Sequence, residues 1–163
     1  MITIFSNPRP FNGHFDRIQR NAIKSWQQLN SQCQIVLFED EEETSSKVAC
    51  ELGVECITGV ATNEYGTPLL HDVFKKAKIA AIYQILAQVN TDIILMNNFV
   101  TAVRNVIDQI NERPFFMSGR RYDLDFDDTI DFTQDIWRQG IIQYQQEWTT
   151  NNGDLSAINL TIR

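Results

Sequence analysis

No stretch of the chain approaches the ~18 consecutive apolar residues that a membrane-spanning helix requires. The N-terminus, Met1-Ile2-Thr3-Ile4-Phe5, lacks the basic segment and long apolar core of a secretion signal and reads as a first strand. Cysteine is scarce: Cys33, Cys50 and Cys56 make an odd set without C-x-x-C spacing. That argues against a disulfide framework and a zinc site, and for small buried hydrophobes in a reducing cytosol. A cytoplasmic protein is therefore expected. Positive charge is also short, with 14 Lys and Arg against 21 Asp and Glu and no basic run longer than Lys75-Lys76 or Arg120-Arg121. A net charge of -7 argues against nucleic acid and anionic membranes as partners, because both need a basic face. A diphosphate needs only one or two local cations or a metal ion, so it stays open. Neither G-x-G-x-x-G nor G-x-x-x-x-G-K-[ST] occurs, which disfavours a dinucleotide Rossmann site and a P-loop. The two histidines, His14 and His71, have no evident Ser or Cys partner for a nucleophilic triad.

What remains is an ordinary globular composition, 43% hydrophobic and 21% charged, over 163 residues. A chain of this length buries roughly two thirds of its unfolded surface and folds without a staple. Short apolar runs alternate with helical periodicity. Ile2 to Ser6 is a strand stopped by Asn7-Pro8-Arg9-Pro10. Phe15, Ile18, Ala22, Ile23, Trp26 and Leu29 mark a helix over 14–29. Ile35 to Phe38 suits a strand covered on both faces. The acidic run Glu39 to Glu43 is expected to open the next helix, where the dipole favours carboxylates, and Gly53 to end it. A strand over 54–57 and a loop over 58–68 follow. Leu69 to Ala81 predicts a helix, about 84–89 a strand, Ile93 to Leu95 another, and Phe99 to Ile110 a helix ended by Pro114. Phe115-Phe116-Met117 is expected to start a strand. Ile136, Trp137, Ile141 and Tyr144 mark a last helix, and the tail after Thr149 has no clear assignment. The alternation predicts a three-layer α/β/α sandwich with a mainly parallel central sheet.

In such sheets ligands bind outside the carboxyl ends of the strands. The positions of interest are thus Ser6-Asn7, Glu39-Asp40, Asn90-Thr91-Asp92 and Gly119-Arg120-Arg121. Asp92, between two apolar strands near the sheet centre, is a fixed carboxylate suited to a hard divalent cation that also binds a diphosphate. The plainer alternative is that Asp92 caps a turn. Asp123-x-Asp125-x-Asp127 lacks the glycine and glutamate of an EF-hand loop, with Asp128 and Gln134 in their places.

The segment Asn90-x-Asp92-Ile93-Ile94-Leu95 resembles the D-x-D region of GT-A-fold glycosyltransferases, the nucleotide-diphospho-sugar transferase-like family. The supporting segments are Ile2 to Ser6 with Pro8, Ile18 to Trp26, Leu37 to Glu42, Asn63 to Leu70 and Gly119 to Asp125, in the family's order over about 2–148. The resemblance implies a nucleotide-sugar-binding domain over 1–148, a UDP- or GDP-type sugar as ligand, and Asp92 as ligand to a Mn or Mg ion. Asn90, neutral where the first acid of D-x-D stands, implies weaker metal affinity. Ser6, Asn7 and Asp40 would line the nucleotide pocket, Arg20 face the phosphates, and Asn63, Gly66 and Thr67 form a loop beside the ligand. Arg120 or Arg121 would grip phosphate or sugar, or else pair with Asp123 or Asp125. Arg20 also reads as a surface arginine, and the 63–67 loop as an ordinary turn.

Members of that family continue well beyond the equivalent of Trp148. Residues 149–163 are expected to be a remnant of the acceptor-side region, leaving the active site short of an acceptor-binding half. The alternative function is a non-catalytic nucleotide-binding or interaction domain, whose exposed edge a homodimer would cover. A nucleotidyltransferase would want a glycine-rich basic loop after the first strand, which Asn7-Pro8-Arg9-Pro10 fits poorly.

Overall fold

The computed structural model describes residues 1–29, 33–39, 42–110, 113–119, 121–134, 136–152 and 159–162. Its first half is built on four parallel strands: β1 (Ile2–Ser6), β2 (Cys33–Phe38), β3 (Glu55–Ile57) and β4 (Ile85–Gln88), in the order β3-β2-β1-β4. Ile4 of β1 stands opposite Ile35 on one side and Ala87 on the other. All five β1 residues are buried, the polar Thr3 and Ser6 included, as in a strand covered on both faces.

Alternation along β1 divides the core. Ile2 and Ile4 join Ile35 and Leu37 beneath α1 (Gly13–Gln27), with Ala49 of α2 (Ser45–Leu52). Phe5 faces the other way, with Val36 and Phe38, towards Val73 and Ala77 of α3 (Leu70–Ala80). Helices therefore cover both faces of the sheet, and the expected mixed α/β architecture is observed. The buried Thr3 hydroxyl is satisfied by Gln34 Oε1 at 2.8 Å.

After β4 the chain leaves this sheet. β5 (Ile93–Ile94) belongs to a second sheet, pairing antiparallel with β7 (Asn159–Ile162), which pairs parallel with β6 (Arg121–Leu124). α4 (Asn97–Ile110) follows β5 and returns Phe99, Val100 and Val103 to the first core. α5 (Trp137–Asn152) packs Trp137 and Ile141 with Ile94 and Leu124 in a separate cluster. Asp92 thus lies where the chain passes between two sheets, rather than near the centre of one.

Two local expectations are corrected. Residues 113–119 form no strand, and Phe116 is 93% exposed. The aromatic run has strand propensity but no neighbouring surface to pack on, and packing is what that propensity measures. The strand instead starts at Arg121. The acidic run also stops short of α2, whose first turn holds no acid. Glu39 does reach the helix, accepting a hydrogen bond from the Ser46 N–H at 3.2 Å.

Gly53 ends α2 in the left-handed conformation, φ 66 and ψ 35, with open space where a Cβ would stand. Gly53→Ala therefore meets only a conformational penalty, and we expect a loss of about 1 kcal/mol in urea unfolding with an unchanged m value.

Candidate functional site

The strand order reverses beside β1: the chain runs from β1 to β2 and β3 on one side, then returns to β4 on the other. The crevice outside the carboxyl ends of β1 and β4 is the switch point where open α/β sheets bind ligands. Asn7 directly follows β1 at this end, and Asp92 sits on the turn after β4, tied to β1 through the Ser6–Thr91 hydrogen bond.

Hydrogen bonds from both sides fix the Asp92 turn. The buried Ser6 hydroxyl donates to the Val89 carbonyl at 2.5 Å and shares a hydrogen bond with Thr91 Oγ1 at 2.6 Å. The Ile93 N–H closes the turn on the Asn90 carbonyl at 3.0 Å. On the far side, the Trp26 indole N–H donates to the Ile93 carbonyl at 2.8 Å, and Ser25 Oγ accepts from the Leu95 N–H at 3.0 Å. α1 thereby holds the segment after Asp92 as firmly as β1 holds the segment before it.

The carboxylate so positioned is partly buried, and its Oδ1 has no hydrogen-bond partner among the described residues. Burial pushes its pKa above the ordinary carboxylate value. The Arg121 and Arg9 charges oppose that shift, and the Asp123 charge adds to it. Asn7 Nδ2 is a second buried atom without a partner, a donor where Asp92 offers an acceptor. Buried polar atoms left open in this way mark positions where a ligand can complete the hydrogen bonding.

Asn7 also lines a cleft of about 710 Å³ at the exits of β1, β2 and β3. Pro8 and Arg9 follow it from β1, Glu39 comes from β2, and Thr58 to Val60 follow β3. Gly66 and Pro68 close the far side, and Ser46 presents the start of α2. The loop carrying Gly66 is a local turn: Asn63 Oδ1 accepts from the Tyr65 and Thr67 N–H groups, each at 2.9 Å, and Gly66 has φ 79. Asn63 shapes this loop, Gly66 lines the cleft, and Thr67 is exposed beside it.

The structure gathers only some of the expected site residues. Asn7 and Gly66 share the cleft, and Asp92 is not among the residues that line it. The Ser6 side chain is committed to β4 and the Thr91 turn instead of lining a pocket. The Arg20 guanidinium is held by Asp16 at 2.6 Å and Glu51 at 2.8 Å, between α1 and α2 and outside the cleft. Asn90 is exposed and uses its carbonyl for the turn. Arg121 contacts Asp123 at 3.3 Å, the ion pair weighed as its alternative, while its charge still reaches Asp92. Asp40 and Arg120 lie outside the described residues.

Sequence reasoning passed over Arg9. Its flanking prolines read as a strand stop, and no local signal shows that the loop they stiffen turns into the cleft. Among the described residues, no group of three or more His, Cys, Asp and Glu side chains converges to hold a metal ion unaided, and no helix is long and apolar enough to cross a membrane. No protein-family model matches the chain, and no curated protein matches it.

Proposed function

We propose that this domain binds a nucleotide diphosphate sugar, of the UDP or GDP type, as the donor-binding half of a GT-A-type glycosyltransferase. The nucleoside would occupy the cleft at the ends of β1, β2 and β3, with its diphosphate directed towards Asp92. The observation that carries this reading is the open Asp92 Oδ1, buried on a turn pinned from both sides at the switch point of a parallel sheet.

The residues present suit a Mn or Mg ion. Magnesium is usually held by one or two carboxylates, with substrate phosphates and water completing its shell. Asp92 would supply that carboxylate, with Asp123 near enough for its charge to be felt there. When bound, such an ion stabilises negative charge developing on a departing diphosphate. The chain's own groups bind and orient: Asn7 Nδ2 offers a hydrogen-bond donor, Glu39 carboxylate oxygens suit sugar hydroxyls, and Pro8, Val60 and Pro68 give apolar wall to a base.

Titration calorimetry with UDP and GDP, in MnCl2 and in chelator, tests the reading. We expect binding that Mn tightens, and Asp92→Ala to remove that Mn enhancement. Nucleotide at ~100 times its dissociation constant should add about 2.7 kcal/mol of stability, a rise of roughly 5–10 °C in melting temperature. Absence of binding heat and of thermal shift in every combination sinks the proposal.

A further inference from the structure

The geometry points to Arg9 as a phosphate-binding residue of the cleft, one that sustains phosphate binding when no divalent metal is present. This rests on the nucleotide-binding reading and extends it to a residue that the D-x-D resemblance does not nominate.

Arg9 is built into the site from its backbone. Pro8 and Pro10 on either side restrict the chain's freedom. The Arg9 N–H donates to Gln19 Oε1 at 2.8 Å, and the Arg9 carbonyl accepts from Gln19 Nε2 at 2.9 Å. Gln19 is itself only 3% exposed, so this two-point clamp ties the loop to the buried face of α1. The loop is tied down again two residues on, since the Phe11 N–H donates to Thr44 Oγ1 at 2.7 Å.

The side chain is oriented too. Its guanidinium carbon lies over the Phe15 ring, 4.8 Å from the centroid, a cation–π contact between two exposed side chains. A cation–π contact spends none of the guanidinium N–H donors on a hydrogen bond, so they stay available to grip phosphate through two oxygens at once. Among the described residues Arg9 forms no ion pair, whereas Arg17, Arg20 and Arg121 each contact a carboxylate. Arg9 lines the 710 Å³ cleft, and its charge reaches Asp92. It is therefore an exposed cation on a tethered loop that lines the cleft, in a chain whose net charge is -7. The phosphate it takes belongs either to a nucleotide or to a free inorganic ion, and the probes below separate these.

The test uses the full chain and three probes: UDP, inorganic pyrophosphate and uridine, each with MnCl2 and with EDTA. For the wild type we expect UDP binding in both conditions, tighter with Mn. Arg9→Gln should weaken UDP about 10- to 100-fold in both, the loss expected for one charged hydrogen-bonding group. Uridine affinity should be unchanged, and Arg9→Lys should restore part of the loss. The melting temperature without ligand should fall by no more than roughly 1–4 °C, the worth of the exposed Phe15 contact, because the clamp uses only the Arg9 backbone. A parallel loss for pyrophosphate, at an affinity comparable to UDP, assigns a free anion site; a much weaker pyrophosphate affinity assigns a nucleotide site. Unchanged UDP affinity in Arg9→Gln overturns the assignment and leaves the cleft reading standing. Wild-type UDP binding that disappears in EDTA overturns the metal-independent part. No UDP or pyrophosphate binding by the wild type overturns this inference together with the reading beneath it.

Discussion

Asp92→Asn should make the protein more stable while removing its metal-dependent nucleotide binding. The two effects share one cause. Half-buried Asp92 carries an oxygen with no partner, and burial has raised its pKa, so the ionised form is disfavoured in the folded state. A group whose folded pKa lies above its unfolded value contributes stability that is complete below the unfolded pKa. That contribution is lost as pH rises through the folded pKa. At neutral pH the native protein therefore bears the cost of an incompletely compensated charge, and a neutral amide of similar shape relieves it. We expect Asp92→Asn to gain about 1 kcal/mol, or roughly 2–4 °C in melting temperature, at neutral pH. The gain should shrink towards zero as pH falls below the ordinary carboxylate range, where both states of the wild type are protonated. In the same variant, affinity for UDP in MnCl2 should fall at least about 100-fold, since losing residues behind a metal ligand already costs 10- to 100-fold. Thermal melts across pH and calorimetry with Mn–UDP measure the two halves. A variant less stable than the wild type at neutral pH, with Mn–UDP affinity retained, would mean that Asp92 only caps its turn.

The parts of this fold legible in the sequence are those set by local chemistry. Ile35 to Phe38 is apolar without interruption and Ile2 to Ser6 is mainly apolar, and they became the two central strands. The stripe from Ile18 to Trp26 became the buried side of α1, and Gly53 became the left-handed stop of α2. What stayed hidden depends on partners distant in sequence. Arg121 to Leu124 is polar and charged, and it is a strand because β7, some thirty-five residues later, pairs with it. Phe115 to Met117 has the better strand composition and no pairing partner. The same holds at the site. Asp92 was conspicuous from its two apolar flanks, and Asn7 from the strand exit. That Ser6 is used up on Thr91, and Arg20 on Asp16 and Glu51, follows only from helix and turn positions that no local pattern encodes. Arg9 was hidden because its meaning comes from a clamp to Gln19, ten residues along on α1.

Trp26→Ala should be the most destabilising single change among those considered, and it should reach the site. Trp26 is fully buried, the largest fully buried side chain among the described residues, and it packs in the cluster of Ile2, Ile4, Ile23 and Leu37. Truncation removes that contact surface and leaves a cavity that close-packed β1 and α1 can only partly fill, a cost of about 3–5 kcal/mol. It also strips the Ile93 carbonyl of its 2.8 Å hydrogen bond. For a domain of ordinary stability this is a third or more of the total, and the melting temperature should fall by roughly 10 °C or more. Trp26→Phe keeps most of the volume and loses the indole N–H, so it should cost about 1–2 kcal/mol. The consequence for binding follows from the same bond. Ile93 is the residue after Asp92, and without the indole α1 holds the far side of the turn through Ser25 alone. Well below its melting temperature, Trp26→Phe should therefore bind Mn–UDP more weakly than the wild type, while a core change distant from the turn, such as Val48→Ala, should not. Urea titrations give the stabilities and calorimetry gives the affinities. Equal Mn–UDP affinity in Trp26→Phe and Val48→Ala would show that the turn does not need the indole hydrogen bond to keep Asp92 in position.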